Sequence, residues 1–477
     1  MVLLVGCAVG PDFKRPAAPT ASSYTATPLS TTTSLTNVVG GEAQRFVEGL
    51  DIPGEWWALF HSQPLDDLIE HSLSNNPSLK AAQAALAVAR ENLLAQKGTF
   101  WPGADGSFSA SRQKTSEELA PIPNANEFYF DLYTPQVSVS YAPDVFGLNR
   151  RTVESFQAQE QQARFALVAT HITLSANVAT AAIQEASLRA QIDATRQLIA
   201  INSNVVQILR AQFAQGYASR LDVAAQESQL AQVNSSLPPL LKQLAQQRDL
   251  LTVLAGGFPG DDLPEKFELS SLQLPQALPV SLPSQLVEQR PDVRQAKANL
   301  HAASAQVGIA VANRLPNFML TANIGTLALE TSQIFASGAG FWTLGASVTQ
   351  PIFHGGALLH QERAARAAYV QAAEQHRNTV LTAFQNVADT LNALEQDADA
   401  LKTASDAAKA ASVTLDLTRR QQETGYASKL ALLNAEQTYQ QAMIALIQAQ
   451  ANRYTDTAAL FQALGGGWWH RADLPEK

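Results

Sequence analysis

The sequence predicts a fold in which long antiparallel helices are joined to strands that cross a membrane as part of a β-barrel. Three observations lead to this prediction. The chain repeats its motifs in two halves, each half contains a long stretch without glycine or proline, and each half has two segments of alternating apolar and polar residues. We therefore expect two internal repeats, each with a long helical hairpin and two strands.

The repeat is visible in paired motifs, which lie 214 residues apart early in each half and 209 apart late in each half. The proline-rich linker between the halves carries five prolines, which a helix interior or a central strand does not tolerate. The pairs are Asn76-Pro77 with Arg290-Pro291, Trp101-Pro102 with Leu315-Pro316, and Gly216-Tyr217-Ala218-Ser219 with Gly425-Tyr426-Ala427-Ser428. The predicted segments are 1–65 (lipidation motif, N-terminal strap and lead-in), 66–257 (first repeat), 258–283 (linker), 284–467 (second repeat) and 468–477 (C-terminal tail).

Two stretches, 148–215 and 357–424, are 68 residues long and rich in Ala, Gln, Leu and Arg, all good helix formers. At the standard rise, each helix would be about 100 Å long. Gly216 and Gly425 end these stretches and can adopt the left-handed conformation that stops a helix. A serine three residues after each glycine can cap the next helix, so we predict that each turn joins two antiparallel helices.

Four other segments change to a period of two, which predicts strands with one apolar face. Their length matches the about nine to eleven residues that a tilted strand needs to cross a bilayer. A soluble hairpin with one buried face would show the same alternation. Four strands are too few to close a barrel, whereas three chains would share twelve strands around an open pore. The apolar sets are Phe108 and Ala110; Val137, Val139 and Tyr141; Phe318, Leu320, Ala322 and Ile324; and Trp342, Leu344, Ala346 and Val348.

Aromatic residues cluster near the ends of these strands, where a belt at the membrane interface is expected. Ordinary aromatic loops are the alternative. The residues are Phe128, Tyr129, Phe130, Tyr133, Phe335, Phe341 and Trp342.

Cys7 is the only cysteine, which excludes disulfides within the chain and cysteine metal clusters. It ends the run Leu4-Val5-Gly6-Cys7, which resembles the lipobox of bacterial lipoproteins. A stray cysteine near a disordered terminus is the alternative. The residues before it are too few for a signal peptide, so we expect the signal to begin upstream. Ala8 stands where an aspartate would retain an enteric lipoprotein at the inner membrane, which favours the outer membrane.

Composition and motif content exclude several classes of protein. A net charge of −9 with 16% charged residues gives no basic stripe, so we expect no nucleic-acid partner. The chain has no phosphate loop, nucleophile elbow or His-Glu-x-x-His motif, and its eight histidines are scattered. We therefore expect no enzyme, no metal site and no cofactor other than a lipid on Cys7. No uninterrupted run of about 18 apolar residues occurs, so we also expect no membrane-spanning helix.

Motifs along nearly the whole chain resemble the TolC-like outer-membrane efflux proteins, specifically their NodT-type lipoprotein branch. Each motif alone is weak, but their order and spacing make the resemblance specific. The family commonly has aspartate at the position of His354, and many members have it at Asn434. The motifs are Gly10-Pro11-Asp12-Phe13-Lys14-Arg15-Pro16, Trp56-Trp57 with Asn76-Pro77, Arg290-Pro291-Asp292-Val293-Arg294, Pro351-Ile352-Phe353-His354-Gly355-Gly356 and Ala463-Leu464-Gly465-Gly466-Gly467-Trp468.

The resemblance implies a homotrimer with a twelve-stranded barrel in the outer membrane, continuous with an α-helical tunnel in the periplasm. Its implied function is the exit duct of a tripartite efflux pump. The implied partners are outer-membrane lipids, a periplasmic adaptor and an inner-membrane transporter of the resistance-nodulation-division type. A duct for type I protein secretion and a structural coiled-coil lipoprotein are the alternatives. Only three methionines are present, which disfavours copper or silver as cargo.

The resemblance also implies an aperture at the periplasmic helix tips, formed by Asp222, Leu430 and Asn434. Arg220 and Lys429 lie beside the turns, and we expect them to clasp neighbouring helices. Simpler roles are open as well, because the helix dipole favours an aspartate in a first turn and a leucine packs readily between helices. The amide of Asn434 predicts a weaker ring of negative charge than an aspartate would give.

Overall fold

The structure is a computed structural model that describes residues 8–21, 23–27, 29, 31–115, 128–261 and 263–474. These residues form two compact units. The first unit contains 85–163 and 296–376 with the N-terminal residues up to Pro16, and the second contains 17–84, 164–295 and the residues from Arg377 onward. In chain order the elements are β1 (Arg45–Glu48), α1 (Gln63–Asn75), α2 (Pro77–Lys97), β2 (Gly103–Thr115), β3 (Phe128–Tyr141), α3 (Leu148–Ala214), α4 (Arg220–Leu254), β4 (Ala277–Val280), α5 (Pro283–Gln289), α6 (Pro291–Ala312), β5 (Asn317–Thr326), β6 (Gly340–Thr349), α7 (Ala357–Glu423) and α8 (Lys429–Ala463).

The first unit contains an antiparallel sheet of four strands in the order β2-β3-β5-β6. Its register places Val137 opposite Ile324 and Ile324 opposite Trp342, so these exposed apolar side chains share one face. The other face carries small polar side chains, such as Asn323 opposite Thr343. β5 and β6 have the predicted length with 10 residues each, whereas β2 and β3 are longer, with 13 and 14.

Two helical hairpins, α3 with α4 and α7 with α8, account for most of the helical residues. α3 and α7 are both 67 residues long, and α4 and α8 are both 35. The predicted long helices are confirmed to within one residue, since α3 ends at Ala214 and α7 at Glu423. α3 begins in the first unit and continues into the second.

Helix α4 contains Pro238 and Pro239 in its interior, which the sequence alone does not predict. Proline removes a backbone donor and its ring crowds the preceding turn, so interior prolines bend a helix. The hydroxyl groups of Ser235 and Ser236, just before the prolines, each donate at 2.7 Å to a carbonyl oxygen three residues back. α8 is the matching helix of the second hairpin and has no proline. The two hairpins therefore differ in the middle of their shorter helices.

The proline-rich linker contributes a short strand of its own. β4 pairs in parallel with β1, and Pro279 lies opposite Val47. Both strands of a two-stranded sheet are edge strands, where the missing N–H of a proline is tolerated. Pro283 then occupies the first turn of α5, where a proline needs no hydrogen-bonding partner for its nitrogen.

Among the residues that the structure describes, one helix, α3, is long and apolar enough to cross a membrane by length and composition. The expectation of no membrane-spanning helix concerned uninterrupted apolar runs, and it stays a prediction. An 18-residue window can be apolar on average although single Ser, Thr, Asn and His residues interrupt every continuous run. Two thirds of that window is buried within the chain, as in the core helix of a soluble domain.

The core of the second unit joins residues from both ends of the chain. Trp56 is fully buried and stacks on Phe461 of α8, with ring centroids 5.4 Å apart. Just after α8, Gly465 has a φ of 99° and lies so close to Gln289 that a Cβ would be 2.9 Å from its carbonyl oxygen. Trp468 donates its Nε1–H to the same oxygen at 2.7 Å. The glycine-rich motif near the C-terminus therefore packs against Gln289 and forms part of this core.

Candidate channel and gate site

Both hairpins turn through a glycine in the left-handed conformation. The φ of Gly216 is 77° and that of Gly425 is 82°. In the first turn, the N–H of Tyr217 donates to the oxygen of Gln212 at 2.8 Å, and the N–H of Gly216 donates to Phe213 at 3.0 Å. These are the two bonds of a Schellman motif, and the second turn has the same pair. A side chain at either glycine would strain the backbone, so both turns have a defined geometry.

A capping box holds Asp222 at the start of α4. Its Oδ2 accepts hydrogen bonds from the N–H and the hydroxyl of Ser219, at 3.0 and 2.7 Å. In return, the N–H of Asp222 donates to Ser219 Oγ at 3.1 Å. The structure therefore gives Asp222 a role in starting the helix, which the capping box and the helix dipole explain without an aperture.

The second tip has the same N-cap without the carboxylate. The N–H of Ala431 donates to Ser428 Oγ at 3.2 Å, and Ala431 stands where Asp222 stands in the first tip. Leu430 and Asn434 are four residues apart on α8 and therefore lie on one face of the helix. Both are exposed, so the structure places these two predicted aperture residues together at one tip.

The two predicted clasp residues lie at the first positions of their helices. Arg220 begins α4 and is exposed, and Lys429 begins α8. The side chain of Lys429 lies outside the described part of the chain. The clasp role of both residues stays a prediction.

Apolar side chains at both tips face solvent, and the sequence assigned a role only to Leu430 among them. Tyr217 is 82% exposed and Tyr426 is 88% exposed, while Leu221 and Leu430 are largely exposed at matching positions. The sequence repeats the Gly-Tyr-Ala-Ser motif at both tips, and this repetition could have singled out the two tyrosines. Matching positions of the two tips therefore carry the same exposed residue types.

The polar face of the sheet carries one charged residue within the described strands. Asp105 of β2 lies opposite Ser138, which in turn lies opposite Asn323. The other charged strand residues, among them Arg112 and its partner Asp131, share the apolar face near one end of the sheet. The polar face is otherwise built from Ser, Thr, Asn, Gln and Gly together with a few apolar side chains.

The described residues directly after Cys7 are held against the start of α3. The buried Arg151 donates from Nε to the oxygen of Val9 at 3.1 Å and from Nη2 to the carboxylate of Asp12 at 2.7 Å. The N–H of Val9 also donates to the oxygen of Phe146 at 3.0 Å, in the connection between β3 and α3. Cys7 itself lies outside the described residues, so its lipidation stays a prediction.

The same N-terminal segment packs on α6. A side chain at Gly10 would collide with the backbone of Gly308, and a Cβ at Gly308 would lie 2.8 Å from Cγ of Arg151. Phe13 stacks on His301, with ring centroids 4.3 Å apart, and His301 contacts Glu154 at 2.9 Å. The Gly-Pro-Asp-Phe motif therefore has a structural role as an anchor within the first unit.

The fold that carries these features is that of an outer-membrane channel. The structure of the outer-membrane channel OprN matches with a TM-score of 0.85 at 25% identity, over 97% of this chain and 100% of OprN. The open-state structure of the MtrE outer membrane channel of Neisseria gonorrhoeae matches with a TM-score of 0.81 at 25% identity, over 97% and 99% of the two chains.

Sequence comparison then gives the family. The chain belongs to the outer membrane efflux protein family, whose profile matches residues 68–257 and 282–466. The toluene efflux pump outer membrane protein TtgC of Pseudomonas putida is 30% identical over 475 residues, which cover 98% of this chain and 94% of TtgC. The resemblance found in the sequence is confirmed, and the chain is an outer-membrane component of an efflux pump.

Proposed function

We propose that three copies of the chain share one twelve-stranded barrel in the outer membrane and one helical tunnel in the periplasm, and so form a passive exit duct. One observation supports this most strongly. The sheet has four strands, and within the described residues its outer strands, β2 and β6, pair on one side only. Open sheet edges leave backbone groups unpaired, which hydrocarbon does not tolerate. A sheet with an exposed apolar face therefore needs neighbours at both edges.

The proposed duct includes the internal repeat of the chain. Each hairpin pairs a helix of 67 residues with one of 35, and each half supplies two strands of the sheet. We retain the division into repeats at 66–257 and 284–467 with the linker at 258–283. Three copies would then contribute six hairpins of nearly equal length, which suits a closed ring of helices around a tunnel.

The proposed partners are a periplasmic adaptor and an inner-membrane transporter of the resistance-nodulation-division type. Relatives named as efflux pump proteins favour efflux over protein secretion. Because TtgC is named for toluene, we propose small organic compounds as the cargo class. The polar sheet face offers small neutral side chains, so selection among cargoes would rest with the transporter.

The proposed gate lies at the helix tips, where Asp222, Leu430 and Asn434 would narrow the tunnel. Arg220 and Lys429 would clasp neighbouring helices beside the turns. The exposure of Leu430 and Asn434 on one face of α8 supports this assignment.

A lipid on Cys7 would tether the assembled duct to the outer membrane. The anchoring of residues 9–13 next to the sheet supports this proposal, because it fixes the residues that follow the lipid.

The barrel proposal is tested with charges placed on the two faces of the sheet. Ile324→Asp with Trp342→Asp places carboxylates on the apolar face, which lipid disfavours. Asn323→Asp with Thr343→Asp is the matched control on the polar face. We expect wild type and control to be recovered from outer membranes as heat-sensitive trimers that conduct in planar bilayers, and the first variant to fail. Equal behaviour of both variants would overturn the barrel.

A further inference from the structure

An ion pair crosslinks the first hairpin near its tip. Arg210 of α3 donates from Nε and Nη2 to Glu227 Oε1 of α4, at 3.0 and 2.7 Å. One residue before Glu227, Gln226 donates to Asn202 Oδ1 at 2.8 Å within the buried seam between the helices. Two polar contacts therefore hold α3 and α4 together between the turn and the prolines of α4.

The second hairpin has the same two residue types at the same places, but its ion pair is not closed. Arg419 and Glu436 lie 209 residues after Arg210 and Glu227, the displacement that also relates the two tip motifs. Glu436 is 2% exposed, and neither of its carboxyl oxygens has a hydrogen-bond partner. The Nη2 of Arg419 is also buried without a partner.

The surroundings of Glu436 make this arrangement unfavourable for a charged side chain. Leu415 and Leu432 pack together from the two helices and form an apolar cluster in the same seam. Burial raises the pKa of Glu436, while the nearby guanidinium of Arg419 acts in the opposite direction. The two groups are within electrostatic reach, so a change of rotamer or of helix packing would join them.

The second hairpin also lacks the polar contact that reinforces the first. The positions that match Asn202 and Gln226 are Ala411 and Ala435, which are both buried. At these matching positions the first hairpin has two polar contacts, whereas the second has a single charged pair that this conformation leaves apart.

We propose that Arg419 and Glu436 form an ion pair between α7 and α8 that is open in this conformation of the channel and closed in another. The clasp is this pair and not Arg220 with Lys429. The clasp positions the tip of the second hairpin, which carries Leu430 and Asn434. This inference rests on the proposed gate, because the clasp would act on the tip that carries two of the proposed gate residues.

Glu436→Gln is the decisive variant, because glutamine has the shape of a protonated glutamate and cannot form an ion pair. If the clasp closes in another state, Glu436→Gln and Arg419→Gln each change the open probability in planar bilayers by about fivefold or more. The double variant then changes it no further than either single variant. If Glu436 is instead a permanently protonated core residue, Glu436→Gln leaves the open probability unchanged, and the proposal is overturned.

Arg210→Gln and Glu227→Gln are the matched controls in the first hairpin. We expect both to leave the open probability unchanged, because the Asn202–Gln226 contact still holds that hairpin. An effect equal to that of the Arg419 and Glu436 variants would overturn the assignment to the second hairpin.

Amide hydrogen exchange of the detergent-solubilised protein is a second readout that does not need conduction. The clasp predicts that Glu436→Gln and Arg419→Gln each change exchange in 415–440 by about fivefold or more, because the conformation that the ion pair stabilises is lost, while 206–231 exchanges as in wild type. Unchanged exchange in both variants overturns the clasp even if the channel gates. A wild-type protein that does not conduct overturns the proposed duct and leaves the exchange test valid.

Discussion

At the residue scale, Asp222 shows that a side chain at a predicted aperture already has a structural role. Its carboxylate completes the capping box with Ser219. Loss of such a cap costs about 1 kcal/mol of helix stability. A variant of Asp222 therefore loses a charge and loosens the start of α4 at the same time, and Ser219 offers a way to separate the two effects.

We expect Asp222→Ala combined with Leu430→Ala to raise the single-channel conductance, because the pair removes a carboxylate and an exposed apolar side chain from the proposed aperture. Ser219→Ala with Leu430→Ala is the matched control, which loses the same cap and keeps the charge. Its conductance should rise less when recorded in the same salt. If Asp222→Ala with Leu430→Ala conducts as wild type does, neither residue narrows the pore.

At the scale of elements, one arginine fastens the N-terminal strap to α8. The fully buried Arg453 donates to the backbone oxygens of Gly40 and Glu42, at 2.7 and 3.1 Å, and to the side-chain oxygen of Gln44 at 2.9 Å. The guanidinium satisfies groups that a strap alone would leave unpaired. The strap is therefore part of the folded second unit.

Two carboxyl groups, Asp397 of α7 and Asp456 of α8, lie beside this arginine. Burial, and then the hydrogen bond and charge of Asp456, raise the pKa of Asp397 to about 7, against the attraction of Arg453. Below that pH Asp397 holds a proton. Above it Asp397 ionises in a partly buried setting beside Asp456, which is unfavourable.

We expect Asp397 to lower the stability of the folded protein as pH rises from about 4 to about 7. Its pKa is 3.8 when unperturbed and about 7 in the fold, so the folded state holds the proton more tightly. The contribution is present at the lower pH and is lost as pH approaches the folded pKa. Asp397→Asn should therefore reduce the loss in trimer dissociation temperature between pH 4.5 and pH 7.5.

Asp399→Asn is the control for that measurement. Asp399 is exposed and accepts a hydrogen bond from Thr33 at 2.7 Å, so its replacement alters a strap contact without touching the Asp397–Asp456 pair. We expect this variant to keep the pH dependence of wild type. If Asp397→Asn keeps it too, another group causes the dependence.

The elements that the sequence predicted depend on local chemistry. The long helices follow from stretches without glycine or proline, and the turns follow from Gly216 and Gly425. The interior prolines of α4 were missed because a proline alone favours the end of a helix, and packing of a long helix can override that preference. The local helix propensity of the residues therefore predicts the ends of the long helices better than it predicts prolines inside them.

Contacts between distant parts of the chain could not be predicted. Gly40, which accepts from Arg453, is 413 residues away from it, and Val9 lies 142 residues before Arg151. No periodicity or motif records such partners. The open Arg419–Glu436 pair was missed for the same reason, although the 209-residue displacement already relates it to Arg210 and Glu227.

At the scale of the whole molecule, the proposed barrel and the proposed lipid are two attachments to one membrane. A lipid anchor holds a protein less firmly than membrane-spanning segments do, and a shared barrel would be the firmer attachment. The two attachments can therefore be separated by experiment.

We expect Cys7→Ser to lose acyl labelling and to yield fewer trimers, while the trimers that do form conduct as wild type does. The barrel explains the retained conduction and the lost tether explains the lower yield. Labelling with a radioactive fatty acid, unheated gels of outer-membrane fractions and bilayer recordings measure the three effects. A soluble, folded monomer from this variant would contradict the barrel.

The close packing of Gly10 against Gly308 has a consequence for the order in which the protein folds. The N-terminal segment is synthesised first, but its binding surface on α6 follows only after almost three hundred further residues. Closing so long a loop is slow, so this contact forms late during folding. A lipid on Cys7 would keep the waiting end at the membrane surface. The N-terminal segment would then diffuse along the membrane surface, close to where the strands assemble, until it binds α6.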